Sequence, residues 1–264
     1  MRRLLIILFL LAPLTVSAQE SGSKGPLFMK DLLGDREFFD PWGIGAEVFT
    51  MQQDYGIKSL DFQLPGVEIG DPDLIDVTND VQSFDLRFDA WLTPFLNVFA
   101  LVGQVDADTF VDFSNLPIQG LPFPLGAVQV SYDGTVYGAG VNLLYGTEKW
   151  FVALNNTWTD TSLSGDFESS VSAYTAQPRI GLIRNMWTFY VGGMYLDTKE
   201  KHNGRIDLGL PGLPPIPFSV ELESQEKWNY AVGAMLVFSP KAQFLLEVGF
   251  GDRDHTLLNF TYRF

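Results

Sequence analysis

Charged and large apolar residues alternate between positions 84 and 89. Asp85, Arg87 and Asp89 share one face of an extended segment. The intervening positions form the other face and are apolar: Phe84, Leu86 and Phe88. When the apolar face is turned outward, the carboxylates and the guanidinium lie inside the protein. There they can pair with one another or line a path for ions.

Alternation places three more charged residues on inward faces: Glu47, Arg179 and Glu247. Pro178 can bend the strand that carries Arg179, so that assignment depends on how the strand accommodates the proline. Because an unpaired buried charge is costly, we expect the six residues to form an ion-paired network across a narrow lumen. A narrow conduction path lined by the same residues is the alternative.

Two aspartates near an outer rim and two histidines are the candidates for hydrolytic chemistry. Asp106, Asp108, His202 and His255 resemble part of the active site of the omptin proteases. In that family of ten-stranded barrels, an Asp pair faces an Asp–His pair across the barrel mouth. The resemblance fails at the histidines, because neither has the Asp-x-His spacing that would place both groups on one strand face.

Other enzyme signatures are also missing from the sequence. A hydrolase at this rim would need His255 to pair with Asp254 or Asp252. Lipid A deacylases need a Ser–His pair, and neither histidine is followed by a serine. The sequence has no glycine-rich phosphate loop, H-E-x-x-H or G-x-S-x-G element. We therefore predict no enzyme, no metal and no cofactor, with an omptin-like surface hydrolase as a remote alternative.

The elements that position these residues are strands of a barrel. Alternating runs of about ten residues carry aromatic residues at both ends, which is typical of lipid-crossing strands. Short turns follow every second run, and longer acidic or Pro-rich connections follow the others. We predict an all-β, transmembrane up-and-down antiparallel β-barrel of about ten strands, with eight or twelve as alternatives. The expected strands are 43–54, 81–92, 95–106, 132–145, 149–159, 171–183, 187–197, 226–238, 242–250 and 256–264.

The chain ends on an aromatic strand. Phe260, Tyr262 and Phe264 lie on one face, and Phe264 is the last residue. This ending resembles the C-terminal signal by which Gram-negative outer-membrane barrels are recognised for insertion. The resemblance implies an outer-membrane barrel, surrounded by lipid and lipopolysaccharide, whose last strand is recognised by the barrel-assembly machinery. It covers one strand and indicates no specific family.

The N-terminus agrees with export. Arg2 and Arg3 precede an apolar run, and Val16-Ser17-Ala18 offers a cleavage site, so residues 1–18 are predicted to be a signal peptide. The apolar run is about half of the roughly 20 residues that a spanning helix needs, which disfavours an anchor. Residues 19–41 do not alternate, and we expect a periplasmic lead, either a short helix or disordered. The barrel then occupies residues 42–264.

Composition argues against nucleic acid as a partner and against cysteine chemistry. Without Arg2 and Arg3 the chain has 15 basic and 32 acidic residues, a net charge of −17, which argues against binding to nucleic acid. There is no cysteine, so neither disulfides nor thiol chemistry are available. We expect a monomer.

A repeated Leu-Pro pattern occupies the longer connections. Apolar residues on exposed loops are costly unless they pack on something. They are expected to form a lid or a recognition surface, or alternatively only to cap the barrel. The residues are Leu64, Pro65, Leu116, Pro117, Leu121, Pro122, Leu210, Pro211, Leu213 and Pro214.

The sequence therefore predicts a non-enzymatic barrel that binds or passes a small solute through a restricted lumen. The alternative is a structural or interaction barrel, whose loops contact lipopolysaccharide or a protein and through which nothing passes.

Overall fold

The computed structural model describes residues 24–34, 36–62, 68–69, 71–115, 118–119, 126–165, 168–206 and 215–264. In these residues the chain is almost entirely β-strand. The strands are β1 (Trp42–Phe62), β2 (Glu68–Ile69), β3 (Asp76–Thr93), β4 (Leu96–Asp112), β5 (Ile118–Gln119), β6 (Ala127–Gly146), β7 (Trp150–Gly165), β8 (Glu168–Arg184), β9 (Trp187–Ile206), β10 (Ile216–Ser224), β11 (Trp228–Ser239), β12 (Ala242–Phe250) and β13 (Arg253–Arg263). Two single-turn 3-10 helices span Lys30–Leu33 and Pro72–Leu74.

Eleven of these strands close into one ring. Each pairs antiparallel with its neighbours, and β1 closes the ring by pairing with both β3 and β13. β10 and β11 both pair with β9 and are separated only by residues 225–227, so they are two segments of one barrel strand. The prediction of an up-and-down barrel of about ten strands is confirmed.

The number of strands changes along the barrel axis. The end with the tight turns, here called the turn end, has ten strands, because the β12–β13 hairpin lies between β11 and β1. Beyond the hairpin tip at residues 251–252, β10 pairs directly with β1, from Tyr55–Ser224 to Phe62–Phe218. The opposite end, here called the loop end, therefore has eight strands and is narrower.

The exterior is apolar. Large aromatic side chains are exposed on the outer face: Trp150, Trp158, Trp187, Trp228, Phe238, Phe250 and Phe260. Aromatic contacts lie near both ends of this band, with Trp42 and Phe88 rings 6.2 Å apart at the turn end and Tyr195 and Trp228 rings 5.4 Å apart towards the loop end. Such a surface fits acyl chains flanked by two interfacial girdles.

Several strands are longer than the sequence predicted, whereas β12 spans the predicted residues 242–250. β1 runs 21 residues and β9 runs 20, well into the segments expected to be loops. Their outer faces become polar beyond the aromatic band. At this level an exposed ion pair joins Lys201 and Glu221 over 2.6 Å, and the hydrogen bond from Lys201 lowers the pKa of the Glu221 carboxyl. The first two loops also meet, since β2 pairs with β5.

Candidate functional site: the barrel lumen

The barrel encloses a cavity of about 400 Å³. Its wall is mostly apolar, although a water-filled barrel usually has a polar interior. Apolar lining residues come from strands all around the ring: Phe49, Leu101, Val136, Phe151, Met194 and Leu257. Charged side chains are few and come from β1, β3, β8, β9 and β13. A cavity of this size with few polar groups is typical of small-molecule sites.

One buried ion pair crosses the lumen. Arg179 on β8 and Glu247 on β12 lie 2.8 Å apart, and Glu247 is 1% exposed. His255 of β13 lies 3.4 Å from the same carboxylate, through its Nε2 atom. Glu247 is therefore held from both sides, as an ionised group away from water requires.

A second cluster lies at the turn end. Arg263 donates from Nη2 to Asp89 over 2.8 Å, and Asn97 donates to the same carboxylate over 2.6 Å. Asn142 donates to Asn97 over 2.9 Å, which extends the cluster to β6. Gly43 makes room for it, because a Cβ at this position would collide with the Asp89 carboxylate. These contacts join β13, β3, β4 and β6 across the floor of the cavity.

The segment before β1 covers this floor. Phe38 and Phe39 pack on Trp91, with ring centroids 5.1 and 6.3 Å away, and Phe39 lines the cavity. Asp40 is 2% exposed and accepts a hydrogen bond from the backbone N–H of Lys24 over 2.7 Å. The lead that the sequence placed in the periplasm thus contacts the barrel interior at residues 38–40.

The loop end is packed with side chains. Tyr55, Ile75, Val77 and Leu222 form a buried apolar cluster. A second cluster contains Val105, Ala107, Tyr132 and Leu163. The narrower, eight-stranded section therefore has a core of its own above the cavity.

A hydrogen-bonded chain lies beside this core. Ser169 Oγ is 2.7 Å from His202 Nδ1, and His202 Nε2 is 3.3 Å from Glu200 Oε2. Both His202 and Glu200 are buried, and Glu200 also lines the cavity. Ser169 and His202 are direct partners on β8 and β9. Sequence motifs do not reveal this pair, because the two residues are 33 positions apart and neither histidine is followed by a serine.

The candidate residues of the sequence analysis fall in distinct places. Five line the cavity: Glu47, Asp85, Arg87, Asp89 and Arg179. Glu247 is buried beside them. Arg179 faces the lumen. The exposed Pro178 lies where the β8–β9 pairing is interrupted, between Ala176 and Arg179. Arg263, Asn97 and His255, which complete the polar clusters, had not been predicted as lumen residues.

The omptin-like arrangement is not assembled. Asp106 and Asp108 are exposed on the outer face of β4, whereas His202 and His255 point into the barrel. His255 contacts Glu247 and Asn229. Phe260, Tyr262 and Phe264 of the predicted insertion signal are exposed on the outer face. The predicted lid residues and signal peptide lie outside the described residues.

In the described ranges no three His, Cys, Asp or Glu side chains are placed to hold a metal ion together. Neither of the two helical turns in this part of the chain has the length and apolarity to cross a bilayer.

The barrel is similar in fold to solved outer-membrane proteins. One is OprG from Pseudomonas aeruginosa, with 10% identity and a TM-score of 0.44, covering 86% of this chain and 98% of that one. Another is the transport unit of the autotransporter AIDA-I from Escherichia coli, with 11% identity, a TM-score of 0.39 and coverage of 90% and 94%. A third is an outer-membrane channel from Pseudomonas putida F1, with 14% identity, a TM-score of 0.37 and coverage of 88% and 98%. No model of a protein family matches the chain, and no curated protein is significantly similar to it.

Proposed function

We propose that this protein is a Gram-negative outer-membrane barrel that binds a small, mainly apolar solute in its lumen and passes it through a restricted path. The observation that carries the proposal is the cavity of about 400 Å³, walled largely by apolar side chains. Apolar cavities stay dry and take up apolar ligands. Side chains pack above the cavity and the lead lies below it, so entry and exit need local movement.

The proposal includes three further properties of the barrel. The barrel is a monomer, its C-terminal strand is recognised by the assembly machinery, and its Leu-Pro loops act as a lid or contact lipopolysaccharide.

Deleting residues 112–125 and 207–218 tests the lid. Faster solute entry into the deletion variant supports it, and unchanged entry contradicts it.

Methyl NMR of the detergent-solubilised barrel tests solute binding, with benzyl alcohol as the probe. Binding in the lumen shifts the methyl signals of Leu101 and Val105 until they saturate, because both line the cavity. The outward Leu86 and Val102 methyls report partition into detergent and should shift linearly. Shifts confined to the outward methyls would favour the structural barrel through which nothing passes.

A matched pair of variants controls this experiment. Ala153 lines the cavity, so Ala153→Trp should fill part of it and weaken binding. Ala100 faces outward on β4, so Ala100→Trp should leave binding unchanged.

A second candidate function, ester hydrolysis, rests on the Ser169–His202–Glu200 chain. When the hydrogen on His202 Nε2 forms a hydrogen bond to Glu200, the His202 Nδ1 atom can accept the Ser169 proton as Oγ attacks an ester carbonyl. The proton then passes to the departing alcohol, and water releases the acyl group. Hydrolysis of p-nitrophenyl butyrate that Ser169→Ala abolishes and Ser170→Ala leaves intact would support it; equal rates in both variants would exclude it.

A further inference from the structure

Arg87 presents an accessible positive charge to the cavity. Its guanidinium carbon lies 3.6 Å above the centre of the Phe99 ring, and its Nη2 is 3.4 Å from Asn97 Oδ1. Arg179 and Arg263, which also line the cavity, each have a carboxylate at 2.8 Å. Within the described part of the chain, Arg87 has no carboxylate within 4.0 Å. Its stacking and amide contacts thus leave most of its five N–H donors for a ligand.

Glu47 presents an accessible negative charge to the same cavity. It is partly exposed, and its Oε2 accepts a hydrogen bond from Asn259 over 3.1 Å. A neighbouring carboxylate, Asp85, is 6% exposed, is held by Ser83 over 2.7 Å and lies against Gly103, while Asp89 is 2% exposed and paired with Arg263. Glu47 is therefore the carboxylate of these three that a ligand can reach.

Glu47 and Arg87 occupy diagonal positions on adjacent strands, and their side chains lean away from each other. Glu47 is paired in register with Asp85, and Arg87 with Gly45, so Glu47 and Arg87 are displaced by two residues on adjacent strands. Such positions are separated by about 7 Å. Arg87 leans towards β4, where it stacks on Phe99, and Glu47 leans towards Asn259 on β13. Gly45 adds no side chain between them.

We propose that Glu47 and Arg87 bind the two charges of a small zwitterion with an apolar side chain, such as a free amino acid. Its carboxylate takes the Arg87 donors, since planar guanidinium and carboxylate groups match in geometry. Its ammonium binds Glu47, and its apolar part lies on Phe49 and Leu101, which line the adjoining wall. This inference rests on the proposed solute-binding function and names the class of solute.

Four probes of similar size test the inference by the same methyl shifts. They are phenylalanine, 3-phenylpropionate, phenethylamine and benzyl alcohol, which carry both charges, one negative charge, one positive charge and none. We expect phenylalanine to bind about tenfold or more tightly than each of the singly charged probes, because only it engages both side chains. Equal affinity for phenylalanine and either singly charged probe would overturn the zwitterion site.

Variants assign the two contacts separately. Arg87→Met and Glu47→Gln should each weaken phenylalanine binding about tenfold or more, and should change benzyl alcohol binding far less. Glu148→Gln, at an exposed turn, is the control and should change neither. Heat-modifiable migration on a gel checks that each variant is folded, and Glu47→Gln keeps the test decisive should Arg87→Met fail to fold.

The outcomes separate this inference from the function on which it rests. If benzyl alcohol saturates the inward methyls but phenylalanine binds no better in wild type, the cavity binds solutes and the zwitterion site is wrong. If none of the four probes shifts the inward methyls, both proposals fail.

Discussion

Arg253 donates from Nε to Gln53 Oε1 over 2.7 Å, at the point where the barrel wall changes from ten strands to eight. Its Nη2 also donates to the backbone oxygen of Glu226, between β10 and β11, over 3.0 Å. Asn229 Nδ2 donates in turn to the Arg253 backbone oxygen. One guanidinium that is 2% exposed thus ties the hairpin tip, β1 and the β10–β11 junction together.

Replacing the Arg253 guanidinium should destabilise the barrel. Arg253→Met keeps much of the volume but leaves Gln53 Oε1 and the Glu226 carbonyl without their donors. We expect a loss of about 2 kcal/mol in the free energy of unfolding, the usual cost of buried unpaired polar groups. Urea titration in lipid vesicles, followed by tryptophan fluorescence, measures it. Arg205→Met, at an exposed position on β9, should change stability by less than about 0.5 kcal/mol, and equal losses would contradict the role of Arg253.

Alternation was sufficient to predict the up-and-down barrel. Asp85, Arg87 and Asp89 lie inside because Phe84, Leu86 and Phe88 must face lipid, and a one-residue slip would exchange the two sets. The lengths of several strands were underestimated, since beyond the lipid the outward positions of a strand become polar. Positions such as Lys58 and Asp61 therefore carry no apolar signal, although they continue β1 beyond the predicted end at 54.

Side-chain partners across the lumen were less accessible to sequence reasoning. Arg179 and Glu247 are 68 positions apart, and they meet because the ring brings β8 opposite β12. Arg263 lies between two aromatic positions of the last strand, and the same alternation places it inside, beside Asp89. Pairing of Ser169 with His202 depends on the β8–β9 register, which no local motif records.

The Arg179–Glu247 pair gives a second stability prediction. Glu247→Gln removes the charge that compensates half-buried Arg179, and breaking such a pair costs about 3 kcal/mol. The double variant Arg179→Met, Glu247→Met should recover much of this loss, because it removes both charges together. Glu221→Gln breaks the exposed pair with Lys201 and should leave the urea midpoint nearly unchanged. A single Glu247→Gln variant as stable as wild type would show that the lumen hydrates Arg179 freely.

Gly43 gives a third prediction, at the turn end. Gly43→Ala places a methyl group where the Asp89 carboxylate lies, and forces that side chain away from Arg263. Overpacking of this kind costs about 2 kcal/mol. Gly126→Ala is the control, because nothing lies within 4 Å of a Cβ at that position. If both variants unfold at the same urea concentration, the Asp89–Arg263 contact does not depend on the space at Gly43.

The lead gives the last prediction, since it lies across the floor of the cavity. Phe38→Ala with Phe39→Ala removes both rings from Trp91 and should open the turn end. Planar-bilayer recording is expected to show larger or more frequent conductance steps than in wild type. Phe28→Ala is the matched control, because this phenylalanine of the lead is 63% exposed and its ring is not part of the Trp91 contact. Conductance unchanged in the double variant would mean that residues 38–40 rest on the floor without restricting passage, and that the restriction lies at the packed loop end.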